Sequence, residues 1–126
     1  MPPKCVLVID DEESIQKVVR LSLKMEASWD TITVSSGPEG IYQATICQPD
    51  AILLDVMMPE IDGIATFKSL HENPQTQSIP VILLTAQTRT AEKRLFHKLG
   101  IAGIITKPFN PLTLASQVAK LLNWSI

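Results

Sequence analysis

Five short apolar runs, most of them followed by a longer stretch of helical period, constrain this chain more than any other feature. Cys5-Val6-Leu7-Val8-Ile9 is rich in β-branched residues and ends in Asp10-Asp11, which reads as a buried strand. Over residues 13–26, Ile15, Val18, Val19 and Met25 recur at helical spacing, while Lys17, Arg20 and Lys24 face elsewhere. Residues 31–34 (TITV) alternate as an edge strand does. Ser35, Ser36 and Gly37 then punctuate, and Pro38 suits the first turn of a second helix. Residues 50–54 form a third strand. Ile64, Phe67, Leu70 and His71 share one face of a third helix, which stops near Asn73-Pro74. The run PVILL at 80–84 is the most apolar and is expected to be the central strand. Ala91, Leu95 and Leu99 stripe a fourth helix that Gly100 stops. Residues 103–106 give a fifth strand, and Leu114, Val118, Leu121 and Leu122 stripe the last helix.

This alternation predicts one α/β domain over residues 1–126, a five-stranded parallel sheet with helices on both faces. Right-handed crossovers then put every strand's carboxyl end on the same edge, and ligands of such sheets bind there at a topological switch point. Composition agrees: 45% hydrophobic and 19% charged residues are globular proportions, not those of a disordered chain. A net charge of −2 supplies no positive field for nucleic acid or an anionic bilayer. No apolar run approaches the ~20 residues that span a bilayer. No signal-peptide pattern opens the chain, so a cytoplasmic location is expected. Cys5 and Cys47 are too few for a disulfide framework and are expected as buried, reduced thiols.

The polar residues at the strand ends form a set. Asp10 and Asp11 end the first strand, Asp55 the third, Thr85 the fourth and Lys107 the fifth. Singly, each has a plain explanation: Asp11 or Thr85 as a helix cap, Lys107 as a surface lysine. Together, three crowded carboxylates repel, and one lysine does not offset them. Such a site favours a divalent cation, and oxygen ligands favour Mg²⁺, with Mn²⁺ as a substitute. Once near neutral, it suits transfer of a phosphoryl group to a carboxylate, with Lys107 and Thr85 offering a charge and a hydroxyl to its oxygens.

The segments VLVIDDEE, ILLDVMMPEIDG, PVILLTA and ITKPF, in that order and spacing, resemble the successive motifs of response-regulator receiver domains of two-component signalling. The resemblance covers essentially the whole chain, chemotaxis-type single-domain receivers included. It implies a flavodoxin-like sheet of order 2-1-3-4-5. It implies that Asp55 accepts a phosphoryl group from a sensor histidine kinase or phosphotransfer protein. Asp10, Asp11, Asp55 and the backbone carbonyl of Met57 would hold Mg²⁺. Lys107 would contact the phosphoryl oxygens, Thr85 would be the switch hydroxyl, and Lys107-Pro108 would be a cis peptide. Pro59 and Gly63 would shape the loop beneath Asp55. Such a domain assists its own phosphotransfer and dephosphorylation but is not otherwise an enzyme.

Departures from the family pattern also carry information. Ile104 stands three positions before the lysine, where receivers often carry an aromatic switch residue. With Ile101 it is expected to anchor an apolar output face built from the fourth helix, fifth strand and last helix, unless both are core. A homodimer and an output protein of unknown identity are both compatible with that face. Met57 and Gln87 stand two residues beyond Asp55 and Thr85, positions that in receivers tune how fast water removes the phosphoryl group. Neither supplies a carboxylate, so the resemblance implies a moderately long-lived phosphoprotein. His71 and His97 lack partners at metal-ligand spacing, and Trp29 and Trp124 read as packing anchors.

An enzyme on the same fold, nucleotide-binding or phosphatase, fits the residues poorly. A nucleotide-binding protein of this fold needs a Ser/Thr/Gly-rich phosphate loop after the first strand, where DDEES repels phosphate. An aspartyl phosphatase usually carries Asp-x-Asp there. A degenerate receiver, acting as a protein-binding module without phosphorylation, and a receiver fragment of a longer regulator remain as alternatives.

Overall fold

The computed structural model describes residues 3–56, 63–86, 94 and 97–125. In chain order its elements are β1 (Cys5–Ile9), α1 (Glu13–Ala27), β2 (Asp30–Val34), α2 (Gly37–Cys47), β3 (Ala51–Asp55), α3 (Gly63–Glu72), β4 (Val81–Thr85), β5 (Gly103–Thr106) and α4 (Leu114–Leu122). The helix expected around Ala91 and Leu95 falls largely outside the described residues, although Arg94, His97 and Lys98 are helical. All strand pairs are parallel and the sheet order is β2-β1-β3-β4-β5.

Continuous apolar strands are what a sheet covered on both faces requires, because successive side chains point to opposite sides. Val6, Val8, Leu53, Ile82 and Leu84 join Val19 and Leu23 of α1 and Leu114 and Val118 of α4 in one core cluster. Leu7, Ile9, Ile52, Leu54 and Leu83 join Ala44 of α2 and Phe67 and Leu70 of α3 in the other. Each large side chain so buried stabilises the fold by about 1.5–3 kcal/mol relative to exposure. Trp29 packs edge-to-face on Trp124 within the first cluster, with ring centroids 5.4 Å apart. Among the described residues, no helix is long and apolar enough to cross a membrane.

Several expectations about burial are corrected. The run at 81–84 is wholly buried, but β4 lies between β3 and β5, and the middle position belongs to β3. Hydrophobicity reports coverage on two faces, which β1, β3 and β4 share, and so cannot rank them. On α1 the buried stripe is Val19, Ser22 and Leu23, whereas Met25 is 80% exposed and Val18 also faces solvent. Ser22 enters the core because its hydroxyl donates to the Val18 carbonyl one turn back, 2.7 Å away. On α4, Leu114, Ala115, Val118 and Ala119 are buried, and Leu121 is exposed. Small alanines extend that stripe and shift it by about a residue from the one that large side chains suggest. Cys47, on the outer face of α2, is exposed, and Cys5 is partly buried; both are free.

The termini of α1 and α4 are joined by one carboxylate. Thr113, at the N-cap of α4, makes no side-chain capping bond. Glu26 of α1 takes that place, accepting from the backbone N–H groups of Ala115 (2.9 Å) and Ser116 (3.2 Å) and from the Ser116 hydroxyl. A carboxylate on the N–H groups that a helix leaves unpaired at its start is favoured by hydrogen bonding and by the helix dipole.

Candidate functional site

β1 and β3 are paired neighbours, but the chain leaves β1 toward β2 on one side and leaves β3 toward β4 on the other, so the switch point of the sheet lies between their carboxyl ends. Asp10 follows the last residue of β1, and Asp55 is the last residue of β3. Both are nearly inaccessible, at 0% and 2% exposure, whereas Asp11 is exposed. One carboxylate oxygen from each of Asp10, Asp11 and Asp55 lies within 4.8 Å of the others.

Lys107, just beyond β5, reaches across this group. Its Nζ lies 3.3 Å from Asp10 Oδ2 and 3.1 Å from Asp55 Oδ1. The lysine backbone is tied to the next strand, since Lys107 N–H donates to the Thr85 carbonyl at 2.9 Å. Thr85 ends β4 in register with Thr106 and is buried. The Lys107–Pro108 peptide is cis. Met57, Pro59 and Gln87 lie outside the described residues.

Gly63 opens α3 directly against the end of β3. Its N–H donates to the Val56 carbonyl at 3.0 Å, and a Cβ there would stand 2.6 Å from the Val56 Cα and collide with the Asp55 carbonyl oxygen. Any side chain at 63 would therefore push on the backbone that holds Asp55.

The site carries more negative charge than its lysine offsets. Burial pushes the Asp10 carboxyl above the usual carboxylate range; the Glu12 N–H and Lys107 oppose that rise, and Asp55 adds to it. Burial alone would lower the Lys107 ammonium, but Asp10 and Asp55 outweigh it, so its pKa is raised. An isolated ion pair would pull its acid down as it pushed its base up. Here both rise, because desolvation and a crowd of carboxylates act on the acid. A hard divalent cation fits this donor set, which is all oxygen and short of positive charge.

The sequence-derived set is therefore gathered in space for Asp10, Asp11, Asp55 and Lys107, with Thr85 joined to them through the Lys107 backbone. Ile101 and Ile104 are not part of it. Ile101 is 5% exposed within a core cluster, and Ile104 packs half-buried against the same cluster. Ile101 is thus core rather than an exposed anchor, since it precedes a strand whose neighbours bury it. Among the described residues, the most exposed large apolar side chains lie elsewhere, at Met25, Leu112, Tyr42, Leu21 and Ile46.

Gln16 was missed by sequence reasoning. It stands in the first turn of α1, and its Nε2 reaches the Asp10 carbonyl at 2.6 Å, the Val34 carbonyl at 3.2 Å and Ser35 Oγ at 3.2 Å. Asp11 does not cap the helix. Glu12 occupies that position, and its own N–H donates to Asp10 Oδ1 at 2.9 Å.

Comparison with known proteins follows the same lines. The family model of the response regulator receiver domain matches residues 6–119. The chain is 38% identical over 122 residues to the alkaline phosphatase synthesis transcriptional regulatory protein PhoP of Bacillus subtilis, covering 97% of this chain and 50% of that protein. It is 34% identical over 117 residues to the DNA-binding dual master transcriptional regulator RpaA of Synechocystis, covering 93% and 48%. The chain thus spans about half the length of these curated relatives. Among solved structures, chemotaxis response regulator CheY4 of Vibrio cholerae superposes with a TM-score of 0.87 at 29% identity, covering 95% of this chain and 99% of that one. A response regulator from Chloroflexus aurantiacus gives 0.86 at 30% identity, covering 97% and 99%. With four motifs in order, the sheet order and an acidic pocket at its switch point, this chain belongs to the response regulator receiver domain family.

Proposed function

We propose that this domain accepts a phosphoryl group on Asp55 from the phosphohistidine of a sensor kinase or phosphotransfer protein, and signals by the conformational change that follows. The observation that carries this reading is Lys107 Nζ set between Asp55 Oδ1 and Asp10 Oδ2, with three carboxylates converging at the switch point. In the transfer, an Asp55 carboxylate oxygen forms a bond to phosphorus as the P–N bond to the donor imidazole breaks. The electron pair returns to the ring nitrogen, which takes up a proton. Asp10, Asp11 and Asp55 would hold Mg²⁺, with Mn²⁺ as a substitute; when bound, the cation neutralises the site and the transferring oxygens. Lys107 leaves its carboxylate partners to pair with a phosphoryl oxygen, a stronger anion than the one it replaces. Thr85 offers a hydroxyl from a strand end whose carbonyl already holds the Lys107 N–H, so movement of Thr85 is transmitted to the β5 end.

Phosphorylation then shifts an equilibrium between two loop arrangements that a protein partner reads. An output domain beyond these residues, as the length of the relatives allows, and a separate partner are both consistent with this role. A phosphorylation-independent binding module would have no use for the full acidic set with its lysine. The test is intact mass after incubation with acetyl phosphate. A gain of one phosphoryl group with Mg²⁺, absent in chelator and absent in Asp55→Asn, is the expected result. Equal labelling of Asp55→Asn would overturn the assignment. Thr85→Ala should still label, but should lose the phosphorylation-dependent change in amide spectra.

A further inference from the structure

We propose that Gln16 is a positioning residue for the metal-binding turn: its side-chain amide holds the peptide that joins Asp10 to Asp11 against the end of β2, and so sets both carboxylates for Mg²⁺. The inference rests on the metal reading above and goes one step further, to what keeps the ligands in place.

Asp10 is fixed on every side. Its N–H donates to the Val34 carbonyl at 3.1 Å, and its carbonyl accepts from Gln16 Nε2 at 2.6 Å. Its two carboxylate oxygens accept from Glu12 N–H and Lys107 Nζ. The carbonyl bond matters most for Asp11, because the Asp10 oxygen lies in the peptide plane that leads to the Asp11 Cα. Holding that oxygen fixes the plane and therefore the direction in which the Asp11 side chain leaves the turn. Gln16 supplies this hold from a rigid base. Its own N–H closes the first turn of α1 on the Glu12 carbonyl at 3.1 Å. The same amide nitrogen also lies 3.2 Å from the Val34 carbonyl and from Ser35 Oγ, so α1, β1 and β2 meet at one group.

The chemistry of the surroundings fixes the orientation of the amide. Two carbonyl oxygens and one hydroxyl oxygen face it, and two of these accept only, so the NH₂ side must point to them. Without such a hold, mutual repulsion among three carboxylates would swing the exposed Asp11 outward, and the cation would have to pull it back at a cost in affinity. Removing a group that orients metal ligands typically weakens binding about ten- to a hundred-fold.

Mg²⁺ affinity is to be measured by calorimetry on wild type, Gln16→Met and Gln16→Arg, with melting in chelator alongside. Gln16→Met keeps the length and removes the donor. It is expected to weaken Mg²⁺ binding about ten-fold or more. Gln16→Arg keeps N–H donors and should recover most of that loss. A structural role alone would lower the melting temperature in chelator and leave Mg²⁺ affinity unchanged. That result overturns the proposal, as does equal weakening in both variants. Absence of Mg²⁺ binding in wild type would overturn the metal reading and this inference with it, so the two failures are distinct. Should Gln16→Met not fold, the wild-type side-chain amide answers by NMR. A Gln16 NH₂ that exchanges slowly and shifts on Mg²⁺ addition supports the assignment, and one that exchanges freely and ignores Mg²⁺ refutes it.

Discussion

Asp10 and Glu26 lie near opposite ends of α1 and solve a related problem, an acid wholly (Asp10) or partly (Glu26) withdrawn from water, in opposite ways. Glu26 is surrounded by donors: two backbone N–H groups at the start of α4 and the Ser116 hydroxyl. Its charge is satisfied within the chain. Asp10 shares one lysine with Asp55 while Asp11 adds a third carboxylate, and its proton is held more tightly than in a free side chain. A group satisfied by its own chain contributes to stability. A group left in electrostatic debt leaves room for a ligand to relieve it. The two ends of one helix thus separate what holds the fold from what the fold is for.

The largest expected effect lies at the acidic end. Asp55→Asn should abolish phosphoryl incorporation from acetyl phosphate, read by intact mass, whereas Glu26→Ala should label as wild type does. Equal loss in both would erase the contrast. Next is Lys107→Ala, which withdraws the cation nearest the transferring group. By analogy with loss of a donor to a developing anion, labelling should slow by about a hundred-fold, measured as a rate at saturating donor and Mg²⁺.

Stability should show the reverse pattern. Glu26→Ala exposes the unpaired N–H groups of α4 and is expected to cost about 1–2 kcal/mol in urea unfolding, the range of a lost helix cap. Asp10→Asn should have the smallest effect and the opposite sign. The folded-state pKa of Asp10 is raised above its unfolded value, so the folded chain binds the proton more tightly. In chelator, its contribution to stability should therefore fall as pH rises from the ordinary carboxylate range through the raised value. Above that interval Asp10→Asn should melt slightly higher than wild type, and Mg²⁺ should stabilise wild type more than the variant. A wild-type melting temperature that does not respond to Mg²⁺ at neutral pH would leave the acidic end with no ligand to explain it.

Much of this was legible in the residues in order. β1 and β5 occupy the spans their apolar runs predict, and Ser36 caps α2 through the Glu39 N–H with Pro38 in the first turn. Local signals sufficed there because turn chemistry and period are properties of neighbouring residues. Asp10, Asp11, Asp55 and Lys107 could be singled out because each ends or follows a strand, and parallel strands end on one edge. Helix faces were read less well. Helical period places Val18, Met25 and Leu121 on the core face, yet they are exposed, since burial depends on which side of the helix another element covers.

The sequence alone determined that five apolar runs must form a parallel sheet and that three acids and a lysine must meet at its carboxyl edge. Periodicity and charge act along the chain and can be read there. Tertiary structure decided which apolar residues are core, placing Ile101 inside and Met25 outside. It also decided that Glu26 caps a helix 89 residues away and that Gln16 clamps the turn between the two aspartates. Those bonds join groups whose only relation is their position after folding, and neither glutamate nor glutamine carries a local pattern that announces its partner.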